Sequence, residues 1–270
     1  MPELPEVQTV VDTLKNLVLN KQIQSIDILY GPIVNHDHND FINQLINKTI
    51  RDIKRRGKYI IFELDDIALV SHLRMEGKYF VQKKDETINK HIHVIFHFQD
   101  GTDLRYHDTR KFGRMELMPL SLDYCQFKDL GPEPFSNEFN PSYVKAYLAK
   151  RHNPIKAVLL NQNFVAGIGN IYADEILFKS HINPLCKTNE LSSNDCDNII
   201  KYTKETLEDA INLGGTTIRS YESTEGVHGN FQDNLLVHNH EGYSCPKCKT
   251  TIIKIRVGGR GTYYCPKCQK

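Results

Sequence analysis

The sequence predicts an α+β chain, in which an amino-terminal β-sandwich with a flanking helix is followed by a helical region and a small cysteine-rich hairpin. Short strand-like runs follow one another from about residue 23 to residue 118, with turns rather than helices between them. Such an order is typical of antiparallel sheets that pack face to face. Helical periodicity precedes these runs and returns over 141–213, so helices and strands occupy separate stretches.

The first segment, residues 5–18, is predicted to form the flanking amphipathic helix. Its apolar residues recur at intervals of three and four positions, which places them on one helical face. The strand-like runs that follow are rich in β-branched and aromatic residues. These runs are 23–30, 58–64, 67–73, 78–82, 91–98 and 112–118.

In the run 91–98, histidine alternates with apolar residues. His91, His93 and His97 share one face of an extended chain, and the opposite face is apolar. This alternation predicts a half-buried antiparallel strand, with one face in the core and the other toward solvent.

The pattern changes around Gly131–Pro134, where we expect a domain boundary. We predict a β-sandwich domain at 1–133, a helical domain at 134–233 and a cysteine module at 234–270. The end of the helical domain, residues 216–234, is polar with little periodicity and is therefore predicted to be a mobile loop.

Within the helical domain, Pro141 and Pro154 are predicted to occupy first helical turns, where a missing N–H is tolerated. A short apolar helix is expected over 154–162. A longer helix is expected over about 191–213 and ends at Gly214–Gly215.

The composition argues against a membrane protein and a secreted protein. No apolar run is long enough to cross a bilayer, and the amino end lacks the apolar stretch of a secretory signal. We therefore expect a cytoplasmic protein without membrane contact and with reduced cysteines. The net charge is only +1, but basic residues cluster in 51–58 and 243–270. Either cluster alone is more often a solvated surface, whereas together they favour contact with a polyanion.

The carboxyl end carries a strong metal-binding pattern. Cys245 and Cys248 form one C-x-x-C turn, and Cys265 and Cys268 form a second turn after sixteen intervening residues. Two such turns present four thiolates, which complete a closed tetrahedral site for one structural Zn²⁺ ion. A redox disulfide pair is the weaker alternative.

The residues between the two turns are predicted to form a β-hairpin, with strands at 251–257 and 261–264 and Gly258–Gly259 at its bend. A module of about thirty residues cannot bury a core, so the metal supplies folding free energy of order 10 kcal/mol. Arg260 lies at the hairpin tip, where we favour a phosphate contact over simple solvation.

Two further features carry possible chemistry. The loop Gly167–Ile171 opens a helix, and Asn170 is placed there as an N-cap or as a hydrogen-bond donor to an anion. A tight turn between helices is the simpler alternative. At the amino end, removal of Met1 leaves Pro2 with a free secondary amine, a nucleophile with a reference pKa of about 7.7 to 8.0 for an α-amino group. Glu3 beside it is a candidate general acid and base. An ordinary helix-start sequence is the simpler alternative for Met1–Glu3.

Several motifs occur in one order along the chain, and together they are far more specific than any one alone. They are Met1–Val7, Arg55–Tyr59, His72–Met75, Gly167–Ala173 and the paired C-P-K-C turns. This set strongly resembles bacterial formamidopyrimidine-DNA glycosylase, an 8-oxoguanine DNA glycosylase and AP lyase, over essentially the whole chain. The resemblance implies a β-sandwich, a helix–two-turns–helix domain and a zinc finger.

The resemblance also implies roles for catalytic residues. Pro2 is similar to the nucleophile that forms a Schiff base, and Glu3 to the general acid and base. Lys58 is similar to a catalytic hairpin lysine that contacts DNA near the lesion. Arg260 is similar to a residue that grips phosphate and donates a proton to it.

Other residues resemble the family's DNA contacts. Asn170 is similar to the partner of Arg260 in gripping phosphate around the extruded nucleotide, and His91 is similar to a phosphate-contacting histidine. A His91–His93 metal pair is the alternative, although further ligands at convincing spacing are missing from the sequence.

A glycosylase of this kind must extrude its target base and fill the gap. Met75 and Phe112 resemble the apolar wedges, and Arg110 resembles the residue that faces the orphaned cytosine. Core packing is the alternative for both apolar residues. Thr109 stands where many relatives have proline, which weakens the expectation of a rigid loop. The loop at 216–234 corresponds to the one that closes over the extruded base.

The implied partner is double-stranded DNA that contains an oxidised purine or an abasic site, bound by a monomer. Two alternatives stay open at this point. One is an endonuclease VIII-like glycosylase for oxidised pyrimidines, which shares the same architecture and the Pro2–Glu3 chemistry. The other is a non-catalytic zinc protein that binds DNA and has no use for Pro2.

Overall fold

The computed structural model describes residues 1–120, 127, 129–216 and 229–270. The chain divides into two compact units. Unit 1 comprises Met1–Gln126 with Gly214–Gly229, and unit 2 comprises Phe127–Leu213 with Asn230–Lys270. The three-domain division predicted from the sequence stays a prediction.

Unit 1 begins with helix α1 (Leu4–Val18), which confirms the predicted flanking helix. Pro5 lies in its first turn, and the backbone N–H of Glu3 donates to Glu6 Oε2 at 2.8 Å, which satisfies one of the free donors at the helix start. The apolar face, with Val7, Val10 and Leu14, is fully buried in the core of the unit.

Two four-stranded antiparallel sheets form the predicted sandwich, with the orders β1-β6-β7-β5 and β2-β3-β4-β8. The strands are β1 (Ile23–Ile28), β2 (Ile50–Arg56), β3 (Tyr59–Leu64), β4 (Ile67–His72), β5 (Lys78–Lys83), β6 (Ile92–Phe98), β7 (Thr102–His107) and β8 (Arg114–Pro119), and helix α2 (His38–Leu45) lies between the first two. Apolar residues of both sheets and of α1 share one core.

Strands β2 and β7 were not predicted from the sequence. Most residues of β2 are charged and only Ile50 and Ile53 are buried in it, whereas β7 carries charged residues at buried positions. In β7, Asp103 and Arg105 are buried. The guanidinium of Arg105 donates to Asp103 Oδ2 at 2.9 Å and to the carbonyl oxygens of Lys83 and Glu86, both at 3.0 Å. A buried charge is tolerated when it is paired in this way, but alternation patterns cannot reveal such pairing.

The prediction that residues 91–98 form a half-buried strand was wrong, because every residue of β6 is buried. The strand lies between β1 and β7, and its histidines have polar partners inside the protein. His97 contacts Asp103 at 2.6 Å and Asp27 at 3.0 Å, and His93 Nε2 contacts the carbonyl oxygen of Asp108 at 2.8 Å. The face of β6 that carries the histidines is therefore buried and does not face solvent.

Unit 2 contains four α-helices and a β-hairpin among its described residues. These elements are α3 (Pro141–Ala149), α4 (Ile155–Leu159), α5 (Asn170–Lys179), α6 (Ser193–Asn212), β9 (Ile253–Val257) and β10 (Arg260–Tyr264). Pro141 opens α3 as predicted, whereas Pro154 precedes α4 as its N-cap and α4 is shorter than expected. Helix α6 starts with a capping box between Ser192 and Asp195.

The predicted mobile loop at 216–234 falls mostly outside the described residues, which resume at Gly229. In the described part, Phe231–Asn234 form a short 3₁₀ turn rather than irregular chain. Phe231 is buried, with its ring centroid 5.7 Å from that of Tyr172, so the turn packs against α5. Across the described ranges, no helix has the length and apolar character needed for a membrane span.

Candidate active site and nucleic-acid interface

The amino end of the chain lies in a buried cluster of charged residues in unit 1. Pro2 is buried, and the exposed fractions of Glu3, Glu6 and Lys58 are only 4%, 5% and 6%. Three of these residues were predicted from the sequence, and Glu6 was not. The structure therefore provides Pro2 and Glu3 with surroundings largely shielded from water.

Glu6 links the start of α1 to a residue 210 positions away. Its Oε1 atom accepts hydrogen bonds from the backbone N–H of Thr216 at 2.8 Å and from Thr216 Oγ1 at 3.0 Å, while Oε2 accepts from Glu3 N. Gly215 lies so close that a Cβ atom there would be 2.7 Å from Glu6 Oε1. Glu6 thus positions the residue next to Pro2, and no local sequence pattern could have identified this long-range contact.

Burial lowers the pKa of the terminal amine of Met1 below its ordinary value of 8.0. Glu3 and Glu6 oppose this effect by favouring the charged amine, and Lys58 reinforces it by repulsion. A lowered pKa increases the unprotonated, nucleophilic fraction of an amine at neutral pH.

Lys58 is placed by a two-residue hairpin between β2 and β3. Arg56 pairs with Tyr59 across the turn, and Gly57 has φ of +57°, the left-handed conformation that such tight turns require. The RRGKY segment is therefore a hairpin, as the resemblance implied for its lysine. Gly57 permits the bend, and Lys58 follows at the point where the chain enters β3.

His72 at the end of β4 is held uncharged. Burial, followed by repulsion from Arg74 and Lys58, lowers its pKa to about 3. Its Nδ1 atom accepts the backbone N–H of Arg74 at 2.9 Å, so the proton of the neutral ring lies on Nε2. His72, Arg74 and Arg114 line a cavity of about 200 Å³, which the sequence analysis did not identify as a site.

The residues predicted to act as wedges lie on two loops of unit 1. Phe112 is 48% exposed and the guanidinium of Arg110 lies 4.7 Å from the centroid of its ring, so Phe112 is not a core residue. Met75 is half-buried. A hydrogen bond between Thr109 Oγ1 and Glu76 Oε2 joins the two loops.

His91 is half-buried just before β6, with its ring centroid 5.5 Å from that of His107. The alternative metal pair of His91 and His93 finds no support. Within the described ranges, the cysteine cluster is the group of three or more metal-type side chains whose ligand atoms converge.

The four predicted zinc ligands converge in unit 2. The Sγ atoms of Cys245, Cys248, Cys265 and Cys268 all lie within 4.8 Å of one another. The Cys245–Cys268 and Cys248–Cys265 sulfur distances are 3.8 Å and 3.4 Å. A tetrahedral ZnS₄ site with Zn–S bonds of about 2.3 Å requires sulfur separations of about 3.8 Å, so this donor set suits one structural Zn²⁺.

A buried lysine holds the zinc hairpin against the helices of unit 2. Lys156 is fully buried, and its Nζ atom donates to Asp174 Oδ1 at 2.7 Å, to Thr262 Oγ1 at 2.8 Å and to the carbonyl oxygen of Gly261 at 3.0 Å. All three Nζ protons therefore have acceptors, and two of the acceptors belong to β10.

Asn170 contacts the same strand. Its Nδ2 atom donates to the carbonyl oxygen of Gly261 at 3.0 Å, whereas its buried Oδ1 atom has no hydrogen-bond partner. Gly169 is the N-cap of α5, so Asn170 is a donor rather than the cap. Arg260 is exposed and begins β10 directly after Gly258, which has φ of +56°, and Gly259.

Asn170 and Gly261 line a cavity of about 520 Å³ in unit 2. Lys254, Arg256 and His238 line it together with Asn170. His238 Nδ1 contacts Asp174 Oδ2 at 2.8 Å, so Nε2 is the ring nitrogen that takes no part in this contact. The basic content of 243–270 indicated this surface, but the sequence analysis did not single out Lys254 or His238.

Three family models match the chain. The formamidopyrimidine-DNA glycosylase N-terminal domain matches residues 1–115, the formamidopyrimidine-DNA glycosylase H2TH domain matches 130–222, and the zinc finger found in FPG and IleRS matches 244–270.

Curated relatives match over the full length. A formamidopyrimidine-DNA glycosylase of Oceanobacillus iheyensis is 45% identical, with 100% of this chain and 98% of the relative covered. The enzyme of the same name from Bacillus licheniformis is 45% identical, with 100% of both chains covered.

Solved structures of proteins with the same family name are also similar to the chain. Lactococcus lactis Fpg in complex with DNA that contains an abasic site has a TM-score of 0.94 at 42% identity, with 99% of both chains covered. The wild-type Lactococcus lactis protein with DNA that contains N7-benzyl-Fapy-dG also has a TM-score of 0.94 at 42% identity, with full coverage.

The fold, the buried amino end and the closed cysteine site define a class of protein, the zinc-finger DNA glycosylases of base excision repair. Within that class, the chain belongs to the formamidopyrimidine-DNA glycosylase family. It is thus a bifunctional DNA glycosylase and AP lyase with one structural zinc ion.

Proposed function

We propose that this enzyme removes oxidised purines, namely 8-oxoguanine and formamidopyrimidines, from double-stranded DNA and cleaves the strand at the resulting abasic site. The observation that carries the proposal is the buried cluster of Pro2, Glu3 and Lys58 at the amino end. Related proteins bind DNA that contains an abasic site or a modified Fapy-dG, which supports this class of substrate. The action of a monomer in the bacterial cytoplasm is part of the same proposal, because one chain carries every residue assigned a role.

The chemistry starts once Met1 is removed and the Pro2 nitrogen becomes the chain terminus. Its lone pair forms a bond to C1′ of the damaged nucleotide, and the N-glycosidic bond breaks with its electron pair going to the base. A proton from Glu3 assists opening of the sugar ring, and loss of the nitrogen proton leaves an iminium ion. Burial lowers the pKa of the Met1 amine in this cluster, and in the proposal it acts in the same direction on the Pro2 amine, which favours the unprotonated nucleophile.

Strand cleavage follows from the iminium ion. The positive nitrogen acidifies C2′, so a base removes the C2′ proton and the bond from C3′ to the phosphate oxygen breaks. A second elimination releases the other phosphate. Lys58 near the lesion, and Arg260 with Asn170 and His91 on the backbone, are assigned to the phosphates, with Arg260 as a proton donor.

The extruded nucleotide leaves a gap that side chains must fill. Phe112 and Met75 are assigned as wedges, and Arg110 to the orphaned cytosine. The exposure of Phe112 supports this assignment, because a wedge must reach solvent before DNA binds.

Borohydride trapping tests the proposal. The enzyme and a duplex with 8-oxoguanine opposite cytosine should yield a covalent protein–DNA adduct, and Pro2→Gly or retention of Met1 should abolish it. Glu3→Gln should bind the duplex and excise 8-oxoguanine far more slowly. Faster excision of thymine glycol than of 8-oxoguanine would instead favour the endonuclease VIII-like alternative, and DNA binding without any adduct would favour the non-catalytic alternative.

A further inference from the structure

We infer that Asp108 is a positioning residue that holds the loop bearing Arg110 and Phe112 in its DNA-reading conformation before DNA binds. The inference rests on the proposed function, in which those two side chains face the duplex. No local sequence pattern indicates this role for Asp108, because it depends on hydrogen bonds that form only in the folded chain.

The carboxylate of Asp108 is fully buried and collects backbone N–H groups from the loop that follows it. Its Oδ1 atom accepts the N–H of Arg110 at 3.0 Å. Its Oδ2 atom accepts the N–H groups of Phe112 at 2.9 Å and of Gly113 at 2.8 Å. One side chain therefore fixes three of the five residues between Asp108 and the start of β8.

The main chain of Asp108 is anchored to the sheet. Its N–H donates to the carbonyl oxygen of His91 at 3.0 Å, and its carbonyl oxygen contacts His93 Nε2 at 2.8 Å. The sheet thus fixes the position of Asp108, and the carboxylate in turn fixes the loop through its hydrogen bonds.

Close packing leaves the loop little freedom at its far end. A Cβ atom on Gly113 would lie 1.6 Å from Tyr106 Oη and 3.3 Å from Asp108 Oδ2, so glycine is required for this approach. Lys111 has φ of +59°, a conformation that a non-glycine residue adopts only when its surroundings impose it.

The side chains of the loop point away from this anchor. Thr109, Arg110, Lys111 and Phe112 are all exposed, although the backbone between them is bonded to a buried carboxylate. A loop that is ordered in advance loses less conformational entropy when it enters DNA. Asp108 therefore contributes to the opening of the duplex and not to the chemistry at Pro2.

Asp108→Asn is the informative variant, because asparagine has nearly the same size but replaces one acceptor oxygen with a donor that faces backbone N–H groups. We expect single-turnover excision of 8-oxoguanine from a duplex to fall by about ten-fold or more, as misplaced contacts do. The borohydride adduct with a single-stranded abasic oligonucleotide, which has no duplex to open, should change by less than about two-fold.

Asp103→Asn is the matched control, since Asp103 is another buried carboxylate of the same sheet that bonds to Arg105 and His97 and not to the loop. It should lower the Tm and leave duplex excision near the wild-type rate at temperatures well below the Tm. Wild-type excision by Asp108→Asn, or an equal loss on both substrates, would overturn the inference.

Amide hydrogen exchange of the wild-type protein provides a test that does not depend on a stable variant or on the proposed function. The amides of Arg110, Phe112 and Gly113 should exchange slowly despite lying in an exposed loop. Fast exchange at these three positions would overturn the inference. The absence of any adduct with wild-type protein would instead overturn the proposed function.

Discussion

The amino-terminal cluster and the zinc hairpin are held in place by different kinds of interaction. Each holds a residue with a proposed role, Pro2 in one case and Arg260 in the other, at a defined place in its unit. At the amino end, Glu6 connects Glu3 to Thr216 through hydrogen bonds. At the hairpin, four thiolates and the buried Lys156 hold β10, and Arg260 begins that strand.

This difference explains why one region could be predicted in more detail than the other. A metal site requires ligands at short, regular spacing, so the sequence reveals it. A hydrogen-bonded cluster can draw partners from anywhere in the chain. The zinc ligands of the hairpin lie close together in the sequence, whereas the amino-terminal cluster, like the contacts of Lys156 with β10, depends on long-range contacts that are individually weaker than metal ligation.

Loss of a zinc ligand should have the largest effect. In Cys265→Ser, the metal-binding free energy of about 10 kcal/mol or more is largely lost, so the hairpin should unfold and displace Arg260 and Lys254. Zinc content and amide exchange of β9 and β10 measure this. Cys186→Ser, which changes a cysteine outside the cluster, should keep full zinc content. Retained exchange protection in metal-free Cys265→Ser would show that the hairpin does not depend on zinc.

The second largest effect is expected from removal of the buried lysine. In Lys156→Met, Asp174 is left as a buried charge without its closest cation, which should destabilise unit 2 by about 3–5 kcal/mol. Urea unfolding measures the loss. Lys145→Met is the control, since Lys145 is exposed and donates to Ser193 Oγ at 3.0 Å, so a change within about 0.5 kcal/mol is expected. Equal stability of the two variants would contradict the anchoring role of Lys156.

The fold could be predicted from sequence where the pattern is local. Helix α1, the order of strands before helices, and the hairpin with Gly258–Gly259 at its bend all follow from periodicity and turn chemistry. Strand β7 could not be predicted, because Asp103 and Arg105 are buried as a pair and pairing between side chains leaves no periodic trace.

The candidate site divides in the same way. The cysteines follow from spacing, and Pro2 and Glu3 follow from the resemblance to a family. Glu6 and Asp108 act through backbone N–H groups of other residues, so their roles are visible only once the chain is folded.

A smaller effect is expected at Glu6. Glu6→Gln puts an amide where Oε1 and Oε2 now accept three hydrogen bonds, so at least one acceptor is lost and unit 1 should lose about 1–3 kcal/mol. Excision should also slow, because Glu3 is no longer held. Asp66→Asn, which alters an exposed carboxylate paired with Lys48, should cost at most about 1 kcal/mol. A normal excision rate in Glu6→Gln would contradict the claim that the hydrogen bonds of Glu6 hold Glu3 in place.

The smallest effect is expected for Thr109→Val, which removes the hydrogen bond to Glu76 between the two wedge loops. Because Thr109 is exposed, the free energy of unfolding should change by no more than about 0.5 kcal/mol. A double-mutant cycle with Glu76→Gln measures the coupling. A coupling energy well above that value would mean that the loop contact, rather than Asp108, controls the conformation of the loop.

The central claim is that the nitrogen of Pro2 performs the chemistry in the shielded amino-terminal cluster. Peptide mapping of the borohydride-trapped adduct by tandem mass spectrometry tests it most directly. We predict that the deoxyribose remnant lies on the nitrogen of Pro2, in a peptide from which Met1 is absent. A remnant on the side chain of Lys58 or another lysine, or an adduct formed by protein that keeps Met1, would contradict the claim.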